Sequence, residues 1–275
     1  MQANIEDIRT EVLDAIKNDE LVLPTMPEVA LRLREEVEDD NSSVNTIAKV
    51  IGNDAALTAR MIRIANSPLV RGIQTVEDLQ MAVRRMGMEY TANLAIGIAM
   101  EQLFQATSEA VDDRMRKTWA HSTDVASLSH VICQHFTNLS PDQATLAGLV
   151  HEIGKLPILA WADDHEWDDE TIEEVTNALH PEIGRIILQS WGFPEELQEV
   201  PEKYTQFDRL AEATDYVDVV MVANLQSYAG KDHPFAEMDW SKIHAFENLG
   251  IAIDVVLEEE EELEEKVGAA KSLLS

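Results

Sequence analysis

Apolar residues recur along most of this chain at intervals of three and four, the spacing that gathers them on one side of an α-helix. After Pro27, EVALRLREEVE sets Val29, Leu31 to Leu33 and Val37 at helical spacing. The polar break DDNSS ends that helix and supplies a capping serine for the next, VNTIAKVIG. Asp54 opens AALTARMIRIAN, whose stripe is Leu57, Met61, Ile64 and Ala65. Thr75, with Asp78 three residues on, resembles a capping box ahead of LQMAVRRMG. TANLAIGIAMEQLF is apolar almost all round and is expected at the centre of a bundle.

Between Gln105 and Asp113 the pattern turns polar, and a boundary between two lobes is expected there. RKTWAHSTDVASLSHVICQHF resumes the helical period. Ser140-Pro141-Asp142-Gln143 reads as a capped start for the helix ATLAGLVHEIGKL. WADDHEWDDETIEEV reads as an acidic linker, with further helices beginning near His180-Pro181 and Pro194-Glu195. LAEATDYVDVVMVANLQSYA carries the stripe Val217, Val220, Met221 and Leu225. KDHPFAEMDW is a loop, and the chain closes on an acidic helix with Ile253, Val256, Leu257, Leu263 and Val267 as its sparse apolar positions. Strand-like alternation is nearly absent, so the expected fold class is all-α. The expected organisation is a first helical lobe at about 19–107, a second at about 112–230, and a loop with an acidic helical tail over 231–275. No internal repeat and no Gly-rich phosphate loop interrupts this reading.

Composition changes the picture mainly through charge. Twenty-one Lys and Arg face 52 Asp and Glu, a formal net charge of −31. Affinity for nucleic acid rests on neutralising phosphates, so neither nucleic acid nor an anionic membrane is an expected partner. The basic clusters are modest: Arg60, Arg63 and Arg71 in one stretch, Arg84-Arg85 in another. No run is long enough to cross a bilayer and the first residues are acidic rather than signal-like, which with a single cysteine, Cys133, points to the cytoplasm.

Few residues bear chemistry. Val125, Leu128 and Ile132 lie four, seven and eleven residues after His121, which turns His121 towards the core. His151-Glu152 stands inside an apolar pattern, where a polar pair is costly without partners. His180 reads as a helix-start residue that bonds locally, and Asn224 falls among apolar neighbours. Lys155 reads as a surface lysine. In the first lobe, Asn53, Asp54, Arg60, Arg63, Asn66 and Ser67 lie among apolar positions, and Asn66-Ser67-Pro68 reads as a turn locking two helices together.

The block LPTMPEVALRLREEVEDDNSSVNTIAKVIGNDAALTARMIRIANSP, then TVEDLQMAVRRMGMEYTANLAI, resembles the amino-terminal half of the HDOD family. WAHSTDVASL, LAGLVHEIGKLPIL, HPEIGRIILQSWGFPEEL and VVMVANLQSYA resemble its second half in order, so the likeness covers roughly residues 19–230. HDOD domains are bacterial signalling domains related to HD-type metal phosphohydrolases, and the resemblance implies an HD-like second lobe. In active HD-type hydrolases the ligands are a lone His, a His-Asp dyad and a later Asp. Those positions match His121, His151-Glu152 and Asn224 here, which the resemblance marks as vestigial. Glu for Asp moves the carboxylate out by a methylene, and Asn for Asp removes a charge. The paired histidines of many relatives are replaced by VPEKYTQF, where an inward Lys203 would repel a metal. No cofactor is therefore expected, and at most a weakly held divalent metal. The resemblance implies a non-catalytic regulatory protein acting on a protein partner or a small nucleotide ligand. The alternative is a metal-dependent phosphohydrolase of nucleotides or cyclic dinucleotides.

Overall fold

Short polar side chains fix where several helices begin. Ser43 and Thr46 bond reciprocally to each other's backbone N–H at the head of the helix Val44–Ile51, a complete capping box. Asp54, Asp78, Asp168 and Asp215 each accept from a backbone N–H three residues on. The first helical starts after the polar break and at Asp54 are therefore where the sequence places them. Two others are not. Asp78, not Thr75, caps its helix. Ser140 caps nothing with its side chain: Pro141 does hold the first helical position, but the Ser140 N–H donates to the Tyr216 hydroxyl at 3.1 Å.

The structure, a computed structural model, describes every residue except 1–4, 68, 69, 71, 73, 106–108, 254, 255, 258–260 and 275. Pro68, Arg71 and parts of the polar boundary and Glu run therefore lie outside the described residues. The helices are α1 (Ile5–Lys17), α2 (Glu28–Glu38), α3 (Val44–Ile51), α4 (Ala55–Ala65), α5 (Leu79–Met86), α6 (Met88–Ala99), α7 (Glu109–Phe136) and α8 (Pro141–Val150). They continue as α9 (Lys155–Asp164), α10 (Asp169–Ser190), α11 (Glu195–Lys203), α12 (Tyr216–Ser227), α13 (His244–Leu249) and α14 (Glu261–Leu274). No strand occurs among the described residues, so the fold is all-α. No helix among them is long and apolar enough to cross a membrane.

Two elements depart from the sequence reading. The supposed acidic linker is mostly helix: α9 runs to Asp164 and α10 starts at Asp169. No helix begins at His180-Pro181, because α10 passes unbroken through both. Pro181 removes one backbone donor there, yet the apolar stripe Ile172, Val175, Leu179, Ile183 and Ile187 is buried on both sides of it. Burial at helical spacing outweighs the one lost hydrogen bond. The helix α1 buries Ile8, Val12 and Ala15 and is tied to α10 through Arg9 and Glu182 at 2.9 Å.

The helix α7, 28 residues long and so about 42 Å from end to end, is the axis on which α8, α12 and α14 pack. The main apolar cluster draws on residues from Ile8 to Leu274, on both sides of the polar stretch before α7, and a small second cluster of Ala65, Val76 and Ala82 stands apart from it. Two glycines set the tightest approaches to neighbouring backbone. A Cβ on Gly148 would stand 2.5 Å from the Ala126 Cα of α7. A Cβ on Gly154 would stand 2.0 Å from the His180 carbonyl oxygen and 2.5 Å from the Gly184 nitrogen of α10. The four residues between α8 and α9 are thus wedged between two backbones, and they include His151 and Glu152.

Gly154→Ala is therefore expected to lower unfolding stability by about 3 kcal/mol or more, because backbone must move. Gly268→Ala, in the interior of α14 with nothing within 4 Å of the added Cβ, is expected to raise it by about 0.5–1 kcal/mol. Urea unfolding of both variants checks the pair, and a Gly154→Ala protein within about 0.5 kcal/mol of the wild type would refute the close approach.

Candidate functional site

His151 and Glu152 are not on the face of one helix. They occupy the turn after α8, with His151 itself the last-turn cap and Lys155 the first residue of α9. Both are buried, at 0% and 4% exposure. The His151 Nδ1–H donates to the Gly148 carbonyl at 2.6 Å, which leaves Nε2 with its lone pair, and that atom is buried without a partner. From α7, His121 approaches with its ring centre 5.4 Å from that of His151. Its Nε2–H donates to the Asn224 Oδ1 of α12 at 3.0 Å. Three of the four sequence-selected positions, His121, His151 and Glu152, place ligand-type atoms within 4.8 Å of one another, and Asn224 closes the group on the fourth side.

Three further residues complete the site. Tyr204, immediately after α11, presses its ring edge-on to His151 at 4.8 Å between centres. Its hydroxyl lies 2.8 Å from the His180 Nε2 and 3.5 Å from the Glu152 Oε1. A phenol has one proton to give, and the shorter contact takes it. His180 accepts there because its Nδ1–H donates to the Thr176 carbonyl at 2.8 Å. Rather than a helix-start residue bonding locally, His180 is a buried mid-helix member of the site. Lys155 is the second correction: instead of a surface lysine it is an ammonium ion-paired with Glu152, its side chain only 20% exposed. Lys203 does not point inward: it pairs with Glu199 at 2.6 Å, and Tyr204 lines the site instead.

The charges follow from burial. Burial pushes the His151 pKa down to about 3 and the His180 pKa down to about 4, and it lowers that of His121 as well. All three rings are neutral at pH 7. Burial is the largest influence on Glu152 and would raise its carboxyl, but as pH falls Lys155 and then the protonating rings of His121, His151 and His180 together outweigh it and hold Glu152 well below the usual carboxylate range. Burial, then Glu152, keeps the Tyr204 phenol protonated. The net charge of the cluster is zero, one carboxylate against one ammonium.

A cavity of about 670 Å³ opens on this cluster, and its wall includes Lys155, Tyr204, Asn224, Tyr228, His233 and Phe235. His233 stacks on Tyr228 at 3.7 Å between ring centres, and Tyr228 lies against His121 at 5.0 Å. The segment after Gly230, a plain loop by sequence, thus supplies an aromatic rim. Only distance along the chain hid it: nothing local in KDHPF says what the loop covers.

A divalent ion fits this donor set poorly. The His151 Nε2 lone pair is available, but His121 Nε2 carries a proton, the only carboxylate is neutralised, and Asn224 contributes no charge.

Compared with known proteins, residues 23–207 match the model of the family described as HDOD domain. A solved structure from Shewanella amazonensis SB2B, provisionally named a metal-dependent phosphohydrolase, is 31% identical, covers 98% of this chain and 99% of its own, and superposes with a TM-score of 0.87. An HDOD domain protein of unknown function from Geobacter sulfurreducens shares the fold at 20% identity, with 98% and 99% covered and a TM-score of 0.67. So does a provisionally named signal transduction protein from Marinobacter aquaeolei VT8, at 19% identity, 99% and 67% coverage and a TM-score of 0.65. A Treponema pallidum (strain Nichols) protein named only as uncharacterized is 23% identical over 192 residues, which are 63% of this chain and 36% of that one. The chain spans about a third of that relative's length.

The buried histidines predict a signed pH response. Unfolded histidines take up protons below about pH 6.5, whereas folded His151 resists until about pH 3. Its folded pKa is depressed, so the stability it allows is present above pH 6.5 and is lost as pH falls below it. Measured against His151→Gln, which cancels the general relief of acidic repulsion, the wild type should lose about 1.4 kcal/mol per pH unit from about pH 6.5 to 4. A difference that stays constant over that range would mean His151 is not held neutral.

Proposed function

The chain belongs to the HDOD domain family, and from that premise we propose that it is a non-catalytic signalling or regulatory protein. The observation that carries this reading is Lys155 paired with Glu152, the sole carboxylate of the cluster. A hydrolytic metal needs negative charge to hold it, and none remains uncompensated here. The cleft then serves as a pocket rather than a reaction centre. Its volume suits a small organic molecule. Aromatic Tyr228, His233 and Phe235 beside Lys155, Arg114 and Lys117 suit a nucleotide, whose base can stack and whose phosphates carry charge. Ligand bound there would touch α7, α10 and α12 together and bias how they pack, a route to a partner protein.

The second reading is a metal-dependent phosphohydrolase of nucleotides or cyclic dinucleotides. It is favoured by the name of the Shewanella relative and by the three ligand-type atoms within 4.8 Å. Thermal unfolding with 100 µM Mg²⁺, Mn²⁺ or Zn²⁺ separates the two. We expect a shift below about 1 °C. Binding at a micromolar Kd would add about 2.7 kcal/mol, several degrees for a chain of this size, and would sink the non-catalytic reading. Lys155→Ala combined with Asn224→Asp restores two units of negative charge balance and should create a Mn²⁺-dependent rise of several degrees where the wild type shows none. Should that double variant stay unresponsive, charge balance is not what excludes the metal.

A further inference from the structure

The acidic charge of this chain is unevenly spread. Residues 44–100 carry six Lys and Arg against four Asp and Glu, whereas the other 218 residues carry fifteen against forty-eight. Two of the four acids are used as helix caps, Asp54 on α4 and Asp78 on α5. Two of the cations are also committed: Arg60 to Glu101 and the Leu274 carbonyl, Arg85 to the carbonyls of Ala65 and Gln74. Lys49, Arg63 and Arg84 are exposed, and no carboxylate among the described residues pairs with them.

Elsewhere most basic side chains find acids, among them Arg9 with Glu182, Arg114 with Asp169, Arg185 with Glu195 and Glu202, and Lys271 with Asp124, while Lys231 stands exposed without one among the described residues and Lys266 meets His135. Each of the three unpaired cations lies in the last turn of its helix, where the helix dipole favours positive charge. That accounts for a basic residue at each place. It does not account for the want of a carboxylate beside it in a chain with 52 of them.

The helix α5 packs on both α3 and α4, so the three cations belong to one group of helices. Ala65, Val76 and Ala82 form a small apolar cluster apart from the main core, and Ile62, Met81 and Met86 lie over it only half buried. Adaptable apolar side chains on a group of helices that also carries unpaired cations are the complement of a helix with an apolar stripe and acidic flanks.

We propose that the α3–α5 face is the docking surface for an acidic amphipathic helix of a partner protein. It gives the regulatory reading its protein-facing side, and it stands on separate residues: turnover or tight metal in the cleft would remove that reading and leave this face as it is. A nucleic acid would meet the same cations, but its length would run it along a surface that is acidic elsewhere. A second copy of this chain brings its own −31. A short acidic helix meets the cations at contact range, while the more distant acids are screened beyond about 8 Å at physiological salt.

The test is fluorescence anisotropy on the full chain with a labelled synthetic helix bearing Leu at i, i+3, i+4 and i+7 and Glu on either side. Saturable binding is expected. It should weaken by about tenfold or more in Lys49→Glu/Arg63→Glu/Arg84→Glu, and by less than about twofold in Arg32→Glu/Lys17→Glu/Lys242→Glu, three exposed cations that already have acidic partners. Should the first triple variant not fold, Arg63→Gln/Arg84→Gln should show a loss of about threefold with unchanged circular dichroism. The proposal is overturned by no saturable binding, by equal losses in the two triple variants, by equal binding of a scrambled peptide without the stripe, or by tighter binding of a 15-nucleotide DNA strand.

Discussion

Glu152 brings a full negative charge into an almost wholly buried turn, and Lys155, three residues on, makes that tolerable. A buried carboxylate without a partner would instead take up a proton or unfold its surroundings. The pairing depends on the turn itself. Gly148 lets it lie against the α7 backbone and Gly154 lets it lie against α10, so α9 begins where the Lys155 side chain folds back on the dyad. Neutral His121, His151 and His180, the protonated Tyr204 and the amide of Asn224 then pack round a cluster with no net charge.

The same arrangement gives the cleft its character. A site meant to grip a divalent ion keeps its carboxylates free and its ring nitrogens unprotonated on the side that faces the metal. Here one ring nitrogen donates to Asn224, and another, the Nε2 of His151, faces inward without a partner. What the cleft retains is shape: about 670 Å³ with aromatic rings along its rim and three helices around it. Shape and aromatic surface suit recognition more than bond cleavage. The charge of the chain is uneven as well: residues 44–100 carry six Lys and Arg against four Asp and Glu, in a chain whose net charge is −31.

Much of the fold was legible from apolar spacing, because burial along one side of a helix writes itself directly into the sequence. Ser43, Asp54 and the stripe of α12 fall where the pattern puts them. Starts were harder. Pro181 looks like a beginning but lies inside α10, because the stripe on either side of it is strong enough to carry the helix through. Of the site, His121, His151, Glu152 and Asn224 could be named in advance from one resemblance and from polar residues in apolar company. The direction of Lys155 could not, since it depends on two glycines meeting backbones that lie more than twenty residues away in the chain. Nor could His180, Tyr228 or His233, whose roles come from contacts between distant segments.

The central claim is that the ammonium of Lys155 leaves the His121–His151–Glu152 cluster without charge for a divalent ion. Metal content, determined by inductively coupled plasma mass spectrometry on untagged protein purified without chelators, tests it most directly. The account predicts less than about one atom of transition metal per ten chains, unchanged in Lys155-intact protein after incubation with Mn²⁺ or Zn²⁺ and gel filtration. One tightly retained ion per chain, lost on His151→Ala, would contradict it.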